Sequence, residues 1–295
     1  MEFHFLKKHW RNTVYSNVWI ALGAAATTWQ TMLLFENEID YFYILFVGFA
    51  TLATYNFQRI VKFRNRPEYL KAGRNNWLFR NRKKLSLITL IAGIGTSFFA
   101  FYLPIQAYPT LFFMALLSLL YVVRFIPRKG KRLALRDLPL MKVFLIALVW
   151  TVVSVVIPLQ TGSGVESTSF TRSFGLVLLE KFAFLMAITI PFDIRDVAFD
   201  DPNQQTIPQL LGVQKSIQVA IAFALISFVA SALLCLNGNY SHLTLCAFAG
   251  STLLNLFFIT NSNPKKTEMF FAGGVDGTLL IQAVLVSLTL IEGNI

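Results

Sequence analysis

Apolar residues in this chain come in blocks of roughly twenty separated by short polar runs. A helix or strand half-buried against a soluble core would instead alternate with a period of 3.6 or 2. The blocks fall at 13–34, 41–58, 85–103, 106–123, 138–158, 173–192, 213–235, 241–260 and 274–291. At 1.5 Å per residue each is long enough to cross a hydrocarbon layer of about 30 Å. Because hydrocarbon offers no partner for a backbone N–H or C=O, each block predicts a helix. The expected fold is all-α: a polytopic membrane bundle of about nine transmembrane helices, with 1–295 as one transmembrane domain.

Composition agrees. Hydrophobic residues make up 55% of the chain and charged residues 14%, against about 25% charged in a soluble domain. The 26 Lys and Arg outnumber the 15 Asp and Glu, a balance that by itself would also suit nucleic acid. Their placement decides otherwise. If the nine blocks alternate in direction, one face collects 24 of the 26 basic residues, including ten over 59–84 and seven over 124–142. Lys and Arg are retained on the cytoplasmic side of a membrane. The expected topology therefore has a cytoplasmic amino terminus and an external carboxyl terminus, in the plasma (inner) membrane. Membrane lipid is an expected partner and nucleic acid is not. The full-length apolar block after Lys7, Lys8 and Arg11 reads as a first span, not a removable leader. Cys235 and Cys246 lack metal-ligand spacing and read as buried small hydrophobes. His4, His9 and His242 are isolated, and no hydrolase triad, phosphate-binding glycine loop or zinc spacing occurs.

The chemistry-bearing stretch is 191–201, at the expected cytoplasmic end of the sixth block. Asp193, Asp196 and Asp200 are spaced by three and four residues, so their carboxylates share one helix face. Such crowding is relieved by a cation or by positive partners, and hard oxygen ligands favour Mg²⁺ bridged to a phosphate. Solvated aspartates at a membrane boundary, or pairing with Arg195, would explain the same pattern. Glu180 and Lys181 lie inside the sixth block, and an ionisable residue at that depth is a functional candidate by default. Adjacent helical positions point about 100° apart, so the two are expected to pair with other helices and not with each other.

The run from Asp193 to Gly212, with Thr206-Ile207-Pro208 and Leu210-Leu211-Gly212, resembles the second aspartate-rich motif and following loop of the UbiA superfamily of intramembrane prenyltransferases. Leu120-Tyr121 through Pro127, then basic residues and Arg136-Asp137, is similar to that family's connection between its fourth and fifth helices. Asp276-Gly277 opening the last block is similar as well. The resemblance implies a cytoplasm-facing pocket in which Mg²⁺ on a prenyl diphosphate assists ionisation to an allylic cation. A lipophilic or aromatic acceptor then attacks, or the prenyl group cyclises. Under it Asp193, Asp196 and Asp200 are the catalytic and Mg²⁺-binding residues.

The first motif of the family, Asn-x-x-x-Asp-x-x-x-Asp, has degenerated here. Asn56 matches, but Ile60 and Arg64 stand at the two aspartate positions. Guanidinium and ammonium groups bind phosphate oxygens directly. The expected diphosphate-binding set is therefore Asn56, Arg59, Lys62 and Arg64 with Arg128, Lys131 and Arg132. The alternative is a non-catalytic relative that binds an isoprenoid or lipid, or that serves a membrane complex. Topology is directly testable. A reporter fused after Lys84 or after Arg132 is expected to be cytoplasmic and one within 162–169 external; opposite labelling of either loop removes the nine-span arrangement.

Overall fold

The structure is a computed structural model that describes residues 2–35, 38–65, 73–128, 131–161 and 168–292. Helix α1 (Glu2–Tyr15) precedes α2 (Val18–Leu34), so the first apolar block is not one continuous helix. The break is Asn17, which takes a left-handed conformation at φ 65°, a region that Asn tolerates better than most residues. Next come α3 (Tyr41–Asn65), the short α4 (Gly73–Arg80), α5 (Arg82–Ala100) and α6 (Ala107–Leu120). A two-stranded hairpin then pairs β1 (Ile126–Arg128) with β2 (Lys131–Leu133), Pro127 lying opposite Arg132. Beyond it run α7 (Met141–Thr151), α8 (Ile157–Thr161), α9 (Thr168–Asp196), α10 (Ile207–Leu236), α11 (His242–Thr260) and α12 (Gly277–Glu292).

Six helical stretches among the described residues are long and apolar enough to cross a membrane: Arg82–Ala100, Met141–Thr161, Ser173–Asp196, Ile207–Leu236, His242–Thr260 and Phe270–Leu290. Val18–Leu34 and Ala107–Leu120 are apolar but shorter. The chain is an integral membrane protein and its helices form a ring roughly in chain order. Helices α7, α9, α10, α11 and α12 pack in succession, α12 returns against α2, and α2 continues through α3 to α5. The close approach of α12 to α2 needs Gly23, since a methyl there would meet Leu279 Cδ1 at 3.2 Å. Outward faces stay apolar and uncovered, as Leu90, Ile94 and Phe98 of α5 show, which is what a lipid-facing surface requires.

Buried threonine hydroxyls inside the bundle are satisfied locally. Thr27, Thr28 and Thr151 donate their hydroxyls to the carbonyls four residues earlier, the standard solution for hydroxyls in a helix away from water. Two wide π-helical turns, Val152–Val156 and Phe270–Val275, interrupt the regular ladder. An aromatic donor seals each: Tyr43 donates to Val153 O at 2.6 Å, and Trp19 Nε1 to Gly273 O at 3.1 Å. At the start of α10, Gln209 Oε1 accepts the Thr206 N–H at 2.9 Å, Pro208 occupies the first turn, and Gly212 at φ 78° kinks the helix.

Two expectations need correction. Cys235 is buried, but Cys246 is exposed on the outer surface of α11, because apolar context within a membrane helix fits lipid and core alike. Glu180 and Lys181 are both fully buried and do contact each other, at 3.9 Å. Long side chains span the angle that separates their Cα–Cβ directions, while Lys181 Nζ also reaches Gln282 Oε1 on α12 at 3.4 Å. Removing one member of such a pair strands a charge, at a cost of about 3–5 kcal/mol, whereas replacing both by apolar residues is often neutral. Lys181→Met should therefore lower thermal stability in detergent clearly more than the double change Glu180→Leu with Lys181→Met. Equal losses would mean that the pair is not the unit of stability.

Candidate functional site

Inside the ring lies a cavity of about 1320 Å³. Its body is apolar, with Phe46, Val47, Leu111, Met114, Leu145 and Val149 among the lining residues. One end is charged: Arg59, Arg136, Lys142, Arg195 and Lys266 line it together with Asp193, Asp196, Asp200, Glu268 and Asp276. Among the described residues the lining thus carries five basic and five acidic side chains, a balanced set.

The three aspartates expected from the sequence come together there. Asp193 and Asp196 end α9, Asp200 follows in the next turn, and the amides of Phe199 and Asp200 donate to Asp196 O at 2.8 and 2.9 Å, holding that turn closed. No local sequence pattern marks the cation that meets them. Lys142 Nζ lies 2.8 Å from Asp193 Oδ1, 2.7 Å from Asp200 Oδ2 and 3.7 Å from Asp196 Oδ2. It reaches them because α7 packs against α9. Arg195 takes the remaining charge. Its Nε and one terminal nitrogen donate to both Asp196 oxygens at 2.7 and 3.0 Å, and its other terminal nitrogen contacts both Glu268 oxygens at 3.2 Å. The guanidinium also lies 4.9 Å from the centre of the Phe192 ring, a stacking position that suits Arg. Pairing with Arg195, one of the readings left open by the spacing, is therefore part of what relieves the carboxylates.

The basic residues expected at the site are not equivalent. Arg59 lines the cavity and approaches Glu268 at 3.9 Å. Asn56 is fully buried and absent from the lining; its Oδ1 accepts from Asn17 Nδ2 at 2.7 Å while its own Nδ2 has no hydrogen-bond partner. Asn17, at the break between α1 and α2, is the member of that pair that faces the cavity. Arg132 is exposed on the hairpin and is not among the residues that line the cavity. The side chains of Lys62, Arg64, Arg128 and Lys131 lie outside the described residues. Arg136, not assigned a role from its sequence, lines the cavity with its guanidinium 6.0 Å from the Tyr121 ring centre, and its buried Nε has no hydrogen-bond partner. The Tyr121 phenol lines the cavity beside Arg136.

A latch joins the polar segments over this end. Gln204 Nε2 donates to Asp137 Oδ1 at 2.9 Å and Asp137 Oδ2 accepts the Ala134 N–H at 3.0 Å. The segment after the hairpin is thereby tied to the loop after the aspartates.

The carboxylates do not fit the Mg²⁺ expected of them. An octahedral Mg²⁺ needs oxygens at about 2.0–2.1 Å converging on one open point. Here the space between Asp193 and Asp200 is spanned by an ammonium group in contact with both. No group of three or more acidic, His or Cys residues among the described residues is arranged to hold a metal ion.

Fold and cavity together define a polytopic helical membrane protein built around a lipophilic chamber with a charged end. No family model matches the sequence, and no curated protein matches it. Solved structures do. A UbiA homologue from Aeropyrum pernix K1 superposes with a TM-score of 0.61 at 15% identity, over 97% of this chain and 98% of that one. A UbiA homologue from Archaeoglobus fulgidus bound to GPP and Mg²⁺ gives 0.60 at 12%, over 92% and 99%. A digeranylgeranylglyceryl phosphate synthase gives 0.56 at 15%, over 97% and 98%. The chain has the UbiA fold.

The burial of Asn56 separates a structural from a binding role. Asn56→Ala should cost about 1–3 kcal/mol of stability by leaving Asn17 short of a partner, with prenyl diphosphate affinity of the folded protein unchanged. A loss of affinity at unchanged melting temperature would place Asn56 in the site after all.

Proposed function

We propose that this chain is a divergent UbiA-superfamily member that takes a prenyl diphosphate into the cavity and transfers, or cyclises, its prenyl group. The observation that carries this reading is a single chamber with an apolar body of isoprenoid character and one strongly charged end, inside a membrane bundle. The isoprenoid chain lies among Phe46, Leu111, Met114 and Leu145, and the diphosphate faces Arg59, Arg136 and Lys266. Of the lining cations these are not the ones clamped between the aspartates, and the buried Nε of Arg136 makes no hydrogen bond, its ion-pair partner Asp137 Oδ1 lying 3.9 Å away.

In the reaction the allylic C–O bond breaks and its electron pair leaves with the diphosphate. Guanidinium and ammonium groups at the charged end stabilise the developing negative charge, while the apolar body keeps water from the allylic cation. The acceptor's nucleophile then supplies the electron pair of the new bond and releases a proton, or an internal double bond does so in cyclisation. Tyr121 and Arg136 orient the leaving group by donating hydrogen bonds. The GPP and Mg²⁺ bound to the Archaeoglobus fulgidus homologue support the substrate class. The acceptor is proposed to be lipophilic or aromatic, since it must enter the same chamber. The proposal extends to nine membrane crossings in the plasma membrane, with the charged end of the cavity facing the cytoplasm.

A second reading draws on one specific observation. With Lys142 and Arg195 already neutralising the aspartates, the chamber also suits a protein that binds an isoprenoid or lipid without turning it over.

Purified protein in lipid, given labelled geranyl, farnesyl and geranylgeranyl diphosphates with a membrane lipid extract as acceptor source, distinguishes the two. Release of diphosphate with transfer of label is expected. Arg136→Gln should lower kcat/KM at least tenfold, about 1.4 kcal/mol. Stabilisation by a prenyl diphosphate without release, from folded protein, would favour the binding role.

A further inference from the structure

Lys142 stands where a helix would not place it for its own sake. It is the second residue of α7, and the amino-terminal end of a helix carries partial positive charge that disfavours a cation. Asp193 and Asp196 have the mirror-image problem, because they end α9, where the partial charge is negative. Each side is misplaced against its own helix, and each is relieved by the other. The residue before α7, Leu140, is held at φ 61°, a left-handed conformation that is costly for a branched side chain. The start of α7 is thus built at some backbone cost, and what it delivers is an ammonium group between three carboxylates.

The distances match that role. Lys142 Nζ donates a charge-assisted hydrogen bond to Asp200 Oδ2 at 2.7 Å and stands in ion-pair contact with Asp193 Oδ1 at 2.8 Å, a carboxylate whose oxygens accept no hydrogen bond, so it touches residues from both the end of α9 and the turn after it. Lys142 and Arg195 together bring two positive charges to the aspartates, the charge that one divalent ion would bring. In sequence, α3 carries Ile60 and Arg64 and not carboxylates after Arg59, so it offers no acidic ligands there for a second metal.

We propose that Lys142 is a resident counter-ion that occupies the metal position of the aspartate cluster, so that the cavity accepts its prenyl diphosphate without a divalent metal. The second half of this statement rests on the function proposed above; the first half does not. Lys142 is accordingly a positioning residue, because it acts through the aspartates, holding them at a fixed separation and leaving Arg59, Arg136 and Lys266 for phosphate.

Two measurements on the full chain in lipid nanodiscs separate these parts. The first uses Mn²⁺ alone and follows its free EPR signal. The unmodified protein is expected to show no Mn²⁺ site tighter than millimolar. Lys142→Met, which opens the cluster, should gain a site at least tenfold tighter, and adding Asp193→Asn to that variant should remove it. Lys142→Gln, closer in polarity, serves if the methionine variant does not fold, and Lys142→Arg should gain nothing. Tight Mn²⁺ binding by the unmodified protein, or no gain in a folded Lys142→Met or Lys142→Gln variant, overturns the counter-ion role. The second measurement is the shift in melting temperature with geranylgeranyl diphosphate, in EDTA and in Mg²⁺. Equal stabilisation in both is expected. Stabilisation in Mg²⁺ only overturns metal independence while leaving the substrate class standing. Stabilisation in neither removes the substrate class and, with it, the statement about metal-free binding, whereas the Mn²⁺ result stands on its own.

Discussion

A carboxylate at the end of a membrane helix has few ways to remain charged. Bulk water is scarce, the helix end is already negative, and like charges three and four residues away repel it. In this protein the constraint is met by cations brought from elsewhere in the chain: Lys142 from α7 and Arg195 from within α9, the latter also clasping Glu268 beyond α11. Much of the arrangement at the charged end follows. Helix α7 must start close to the carboxyl end of α9, the loop after α9 must turn back so that Asp200 reaches the same ammonium group, and 264–268 must lie beside Arg195.

The rest of the bundle frames that cluster. Wide turns in Val152–Val156 and Phe270–Val275 would expose backbone carbonyls in an apolar setting, and Tyr43 and Trp19 close them with hydrogen bonds. The first wide turn contributes Val153 and Ser154 to the cavity wall. The buried Glu180–Lys181 pair, held against Gln282, lies away from the cavity lining and ties α9 to α12. Two sets of buried charges are therefore placed differently: one lies between packed helices, and the other lines the cavity.

The UbiA fold persists here at 12–15% identity to its solved relatives. At that distance the fold speaks for the chamber and not for its chemistry. At the chamber's charged end α3 carries Ile60 and Arg64, Asn56 is buried against Asn17, and Lys142 lies among three aspartates. An acidic cluster without a cation would be left with uncompensated charge, and an internal ammonium group removes that cost.

The helices could be read from the sequence because hydrocarbon imposes a demand on every residue in turn: roughly twenty apolar side chains and a backbone bonded to itself. The aspartate cluster was legible for a similar reason, as 193, 196 and 200 share a face through local spacing alone. Asn56 matched a motif, yet whether its side chain faces the cavity or Asn17 depends on how α3 sits against the break before α2, which no local pattern records. Lys142 was counted in the sequence only as one of many basic residues retained on the cytoplasmic side. Its role as the cation between the aspartates exists only once α7 packs on α9. The sequence by itself determined the helical membrane class and the presence of a carboxylate face, both set by short-range periodicity and solvent. Only the tertiary structure decided which cation answers those carboxylates, because charge pairing depends on distance in space and residues 142 and 193 are brought together by packing alone.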